Sequence, residues 1–129
     1  MAKKVVLVDD SKTVLMTAEL ALKPLIQAGH IEIQTFENPE IFLEAVNAGQ
    51  QDYDLLLTDI NMPQMNGLDL AKTLKQHPQF RLKPILAFTT ENAPEMMKKG
   101  KEIGLAGWVV KPFAPDKLQM AVKRVLRIR

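Results

Sequence analysis

Apolar residues fall along this chain in two alternating periods, short solid runs and longer stretches with helical spacing. Val5-Val6-Leu7-Val8 is solidly apolar and mostly β-branched, which predicts a strand. It stops at Asp9-Asp10. Ser11 is a helix-capping residue, and Val14, Leu15, Ala18, Leu22, Leu25 and Ile26 then recur at helical spacing to about Ala28. Pro24 removes the bond to the Leu20 carbonyl and predicts a kink in that helix, which Gly29 ends.

The same alternation continues. Ile31–Phe36 predicts a second, more exposed strand. Asn38-Pro39 predicts a cap followed by proline in the first turn of a helix reaching about Ala48. Tyr53–Thr58 reads as a central strand buried on both faces, and it ends abruptly at Asp59. Pro63 and Asn66-Gly67 are turn material. A third helix is predicted over Gly67–His77, with Leu68, Ala71 and Leu74 inward. Pro84–Phe88 predicts the fourth strand, ending in Thr89-Thr90. Pro94–Ile103 predicts a lysine-rich helix interrupted by Gly100, a substitution costing about 1 kcal/mol against alanine. Gly107–Val110 predicts the fifth strand, before Lys111-Pro112. Pro115–Arg129 predicts the last helix, with Leu118, Ala121, Val122, Val125 and Leu126 inward.

Strands alternating with helices imply right-handed βαβ units: an α/β, doubly wound, five-stranded parallel sheet with helices on both faces. The 129 residues fit one domain, 1–129, with no repeat or linker. Composition narrows the function only slightly. A net charge of +2 does not argue for nucleic acid, and the absence of cysteine removes disulfides, thiolate metal sites and thiol nucleophiles. No apolar run approaches the ~20 residues of a membrane span, and the run after Met1-Ala2-Lys3-Lys4 is too short for a signal peptide. The expected setting is the cytoplasm, without membrane insertion.

The candidate chemistry stands at the strand ends: Asp9 and Asp10 after the first, Asp59 after the third, Thr89 after the fourth, Lys111 after the fifth. In open α/β sheets, ligands bind at the carboxyl ends of the strands, where the strand order reverses. For the order 2-1-3-4-5 that crevice opens between strands one and three, and the three aspartates meet in it. Three adjacent carboxylates cannot all stay ionised without a counter-charge. Mg²⁺ supplies it, being a hard cation that takes one or two carboxylates and keeps several waters. Three carboxylates, Mg²⁺ and Lys111 sum formally to zero, and phosphoryl is the natural anion to complete such a site. Asp59 can attack phosphorus, Thr89 can donate to one oxygen, and Mg²⁺ with Lys111 can neutralise others. Taken singly, each residue has a plain reading as a turn, cap or strand end. The joint placement at four strand ends is specific.

These motifs identify a resemblance. Val-Asp-Asp at 8–10, Asp-Ile-Asn-Met-Pro-Gln-Met-Asn-Gly at 59–67, Thr89, and Val-Lys-Pro-Phe at 110–113 resemble a response-regulator receiver domain of two-component signalling, most of all the stand-alone chemotaxis type. The resemblance covers the whole chain and implies a flavodoxin-like fold. It implies that Asp59 is the phospho-acceptor, and that Asp10 and Asp59 ligate Mg²⁺ directly while Asp9 acts largely through water. It implies that Asn61 offers its backbone carbonyl to the metal, that Thr89 is the switch hydroxyl and that Lys111 pairs with the phosphate. The Lys111-Pro112 bond corresponds to a cis peptide in the family. The implied partners are a sensor histidine kinase or phosphotransfer protein, and a downstream protein on the face built by the fourth predicted helix, fifth strand and last helix. The chain is expected to act as a monomer and not as an enzyme. Trp108 occupies the aromatic switch position, usually Tyr or Phe, and is expected to move from solvent toward the sheet on activation. Pro24 and the pI of about 8.9 also depart from the family pattern.

Three rivals compete with this reading. A Mg²⁺-dependent phosphatase or phosphotransferase on a similar sheet also begins with a strand-end aspartate pair, but needs a substrate-covering cap for which no residues remain. A structural pseudo-receiver is disfavoured because every charged site residue is present. Nucleic-acid binding by Lys123, Arg124, Arg127 and Arg129 lacks a reading motif, and such charges on a terminal helix serve solvation.

Overall fold

The computed structural model describes residues 2–129; Met1 lies outside them. Five strands form one parallel sheet: β1 (Lys3–Val8), β2 (Ile31–Phe36), β3 (Leu55–Thr58), β4 (Ile85–Thr89) and β5 (Gly107–Val110). The order is β2-β1-β3-β4-β5, as expected from the sequence. Helices α1 (Lys12–Ala21), α2 (Lys23–Gln27), α3 (Pro39–Asn47), α4 (Gly67–Lys75), α5 (Pro94–Ile103) and α6 (Pro115–Leu126) connect or follow them.

The apolar strands carry a period of two that their solid composition hides. Val5, Leu7, Leu55, Leu57, Leu86 and Phe88 point to one face, where they meet Leu15 and Ala18 of α1, Leu25 of α2, and Leu118 and Val122 of α6. Val6, Val8, Leu56 and Ile85 point to the other, against Phe42 and Val46 of α3 and Leu70, Ala71 and Leu74 of α4. Both faces are covered, so every position of β3 and β4 is buried. At the edge, β2 alternates and is largely exposed.

The expected single helix over 11–28 is two helices. The chain breaks at Leu22, whose φ of −92° and ψ of 1° leave the helical basin. Pro24 has no N–H for the Leu20 carbonyl and its ring crowds that group, so the chain restarts with Pro24 in the first turn of α2, where its missing donor costs nothing. Elsewhere the boundaries differ by a few residues. β1 begins two residues earlier, and β3 two residues later than expected. α4 stops before its expected end at His77, and α6 ends at Leu126, where Arg127 adopts a left-handed φ of 58°.

Tyr53 lies just outside β3 but remains 2% exposed. It sits in a line of rings: Phe36 to Phe42 at 5.2 Å, Phe42 to Tyr53 at 6.0 Å, and Tyr53 stacked on Phe80 at 4.8 Å. Its hydroxyl is buried with no hydrogen-bond partner among the described residues, and burial pushes its pKa well up. Leaving a buried hydroxyl unpaired costs roughly 1–3 kcal/mol. Tyr53→Phe keeps the stack and removes the orphan, so urea denaturation is expected to show a gain of about 1 kcal/mol. A loss of stability would show that the hydroxyl is satisfied.

Candidate functional site

Register builds the site. β1 and β3 pair with Val8 opposite Thr58, so the next residue of each strand, Asp9 and Asp59, emerges side by side. The backbone continues the ladder for one more step: Asp59 N–H donates to the Val8 carbonyl at 3.0 Å, and Asp9 N–H to the Phe36 carbonyl at 3.1 Å. β4 and β5 pair with Thr89 opposite Val110, and Lys111 N–H donates to the Thr89 carbonyl at 2.8 Å. Lys111 thus starts at the same rim, and its side chain turns back across it. Its Nζ stands 2.9 Å from Asp9 Oδ2, 3.5 Å from Asp59 Oδ2 and 5.3 Å from the centre of the Phe88 ring.

Each buried carboxylate is half committed to backbone. Asp9 Oδ1 accepts from Ser11 N–H at 2.8 Å, and Asp59 Oδ1 accepts from Ile60 N–H at 2.7 Å. The Oδ2 atoms face each other and Lys111. Asp9, Asp59 and Thr89 are buried, whereas Asp10 is exposed. One carboxylate oxygen from each of Asp9, Asp10 and Asp59 lies within 4.8 Å of the others. Burial raises the pKa of Asp9; Lys111 and the Ser11 N–H oppose that shift, while the charge on Asp59 adds to it. Three carboxylates against one ammonium leave a formal deficit of two positive charges. The donor set is entirely hard oxygen, so the residues present suit Mg²⁺.

The fold, the three clustered carboxylates and the bridging lysine coincide with one sequence family. The response regulator receiver domain profile matches residues 5–123. The chain belongs to that family. This receiver is 33% identical to chemotaxis protein CheY1 of Helicobacter pylori over 123 residues, 95% of this chain and 96% of that protein. The solved structure of chemotaxis response regulator CheY4 of Vibrio cholerae superposes with a TM-score of 0.83 at 34% identity, covering 97% of this chain and 99% of that one. The BeF3-activated receiver domain of DrrB from Thermotoga maritima does so with a TM-score of 0.83 at 27% identity, covering 98% and 99%.

The receiver brings together Asp9, Asp10, Asp59 and Lys111, and it places Thr89 at the same rim. The Lys111-Pro112 peptide is cis. Asn61 is exposed on the loop after Asp59. Trp108 differs from its expected starting position. Its ring is half-buried, packed near Ile60, Leu68 and Ala87, and its Nε1–H donates to the Glu91 carbonyl at 2.7 Å. No helix among the described residues is long and apolar enough to cross a membrane.

Two residues near the site carry more than the sequence signalled. Gly67 opens α4 as expected, and Asn66, read as turn material, also caps it by accepting from Leu68 N–H at 2.7 Å. A Cβ on Gly67 would come within van der Waals overlap of the Asp59 carbonyl oxygen, 2.0 Å away. Gly67 N–H donates to the Ile60 carbonyl at 2.8 Å, so α4 is tied directly to the loop that follows Asp59. The obstructing atoms are backbone and cannot swing aside. Gly67→Ala is therefore expected to cost at least the 1–3 kcal/mol typical of overpacking, about what denaturant titration resolves readily. Wild-type stability in that variant would mean that the loop has slack.

Proposed function

We propose that this receiver is a single-domain, monomeric response regulator that takes a phosphoryl group onto Asp59 from a phosphohistidine of a sensor histidine kinase or phosphotransfer protein. The single observation that carries the reading is Lys111, whose ammonium spans Asp9 Oδ2 and Asp59 Oδ2 at the buried rim. Asp59 Oδ1 is held by Ile60 N–H, which leaves Oδ2 as the atom to attack phosphorus. As the new O–P bond forms, the donor's N–P bond breaks and the imidazole nitrogen keeps the electron pair. Lys111 then follows the charge from the carboxylate to the phosphoryl oxygens, and Thr89 donates to another of them. Asp10 and Asp59 would hold Mg²⁺ directly, with the Asn61 backbone carbonyl as a further ligand and Asp9 acting largely through water; the ion would supply the positive charge that phosphoryl transfer requires.

The output is protein–protein contact in chemotaxis, motility or a phosphorelay, through α5, β5 and α6. The similarity to chemotaxis proteins supports the pathway class. The cluster also supports the chemistry, since its formal charge deficit is what one divalent cation supplies.

Incubation with acetyl phosphate and Mg²⁺ is expected to add one phosphoryl group by mass, and Asp59→Asn to abolish it. Full-yield modification of Asp59→Asn would sink the assignment. Asp10 is the exposed member of the cluster, so Asp10→Ala is expected to weaken Mg²⁺ binding about tenfold or more, a loss of roughly 1.4 kcal/mol. By relieving like-charge repulsion it also stabilises the metal-free fold. Titration calorimetry giving the wild-type Mg²⁺ affinity would contradict the site as drawn.

A further inference from the structure

Gly100 lies inside α5, a helix of ten residues, and is buried. Glycine is a poor helix former, and an interior glycine asks for a reason. Backbone conformation does not supply one: Gly29, Gly49 and Gly104 have positive φ, and Gly100 does not. Space does. A Cβ on Gly100 would stand 2.9 Å from Trp108 Cζ3 and 2.9 Å from Leu105 Cδ1. The leucine methyl can rotate away. The indole cannot yield as cheaply, because its ring is rigid, its backbone is fixed opposite Ala87 in the sheet, and its N–H is bound to the Glu91 carbonyl.

The other end of that bond leads to Thr89. Glu91 accepts from Trp108 through its carbonyl and donates through its own N–H to Thr89 Oγ1 at 3.2 Å. A hydroxyl has one hydrogen and two lone pairs. With one lone pair of Oγ1 taken by Glu91 N–H, the orientation of the Thr89 hydroxyl is restricted, while its hydrogen remains available to donate.

We propose that Gly100 is a positioning residue: it is the seat that lets the Trp108 indole hold the β4–α5 loop at Glu91 and so orient the Thr89 hydroxyl. This rests on the reading of Thr89 as the hydroxyl that meets the phosphoryl group. It goes beyond that reading in assigning the orientation to packing in α5, set before any phosphoryl group arrives. A ring expected to start in solvent instead starts seated, so activation tightens a latch that is already closed.

The test uses the full-length chain and its only tryptophan. In the wild type, acrylamide quenching is expected to be low and to change little when beryllofluoride and Mg²⁺ are added. Gly100→Ala displaces the ring, so emission is expected to shift red and the quenching constant to rise about twofold, as for an aromatic side chain passing from a half-buried site to water. Beryllofluoride affinity is expected to fall about fivefold, the equivalent of one ordinary hydrogen bond. Unchanged emission and quenching in Gly100→Ala overturn the seat. A displaced indole with unchanged beryllofluoride affinity overturns the coupling to Thr89. If Gly100→Ala does not fold, the seat requires that the same change be tolerated in a Trp108→Phe background, and an equal loss in both backgrounds overturns it. Failure of the underlying reading looks different: the wild type itself would gain no mass from acetyl phosphate, while the quenching comparison would stand.

Discussion

Two carboxylates pushed together at the end of a parallel β pair are the constraint on which this molecule turns. Val8 opposite Thr58 fixes the register of β1 and β3, and the buried apolar runs on both strands hold that register against slippage. Asp9 and Asp59 have no freedom to separate, because the strands that carry them are locked from both faces. Two like charges about 4 Å apart repel by about 4 kcal/mol at an effective dielectric of 20. The core therefore stores an electrostatic cost at its rim, and the rest of the site answers it.

Lys111 is the internal part of the answer, and its reach explains why β5 belongs to a site centred two strands away. The side chain crosses beside the Phe88 ring and lands between the two Oδ2 atoms. One ammonium is not enough for three carboxylates, and the remaining deficit is a standing demand for external positive charge. The fold can tolerate that demand because Asp10 is exposed to water. A site balanced in this way is poised to exchange ligands: a cation relieves it, and an anion then becomes welcome. The two Oδ1 atoms accept from Ser11 N–H and Ile60 N–H, which fixes the orientation of both carboxylates while charge moves.

Much of this was legible in the sequence because one physical signal carries it. Solid apolar runs ending in polar residues locate the strand ends, and Asp9, Asp10, Asp59, Thr89 and Lys111 stand there. The parallel α/β order does the rest. What was not legible depends on contacts between elements. Pro24 announces an interruption, but only the packing of Leu22 and Leu25 decides that a kink becomes a break into α1 and α2. Tyr53 is buried as expected although it lies outside the hydrogen-bonded strand, because the stack on Phe80 holds it there. Gly67 is expected at the start of a helix, but no local signal shows the Asp59 carbonyl standing where its Cβ would be. Gly100 looked like a flaw in a weak helix, and no local signal says that a ring from the next strand fills the gap.

Both glycines make the same physical point about how a rigid sheet communicates with mobile helices. At Gly67 the contact is backbone to backbone, so α4 cannot move without moving the acceptor loop. At Gly100 the contact is helix to side chain, and an aromatic side chain can leave or return by rotation about two bonds. The first is a fixed joint and the second a releasable one. Gly67 lies against Asp59, and Gly100 against Trp108, whose indole is bound to the Glu91 carbonyl. Changes at the rim are therefore transmitted unequally. The α4 side resists, because its obstructing atoms are backbone. The α5 side is held by side-chain contacts, one indole hydrogen bond and the packing of one ring. The asymmetry between the α4 and α5 contacts follows from where the chain can spare a Cβ.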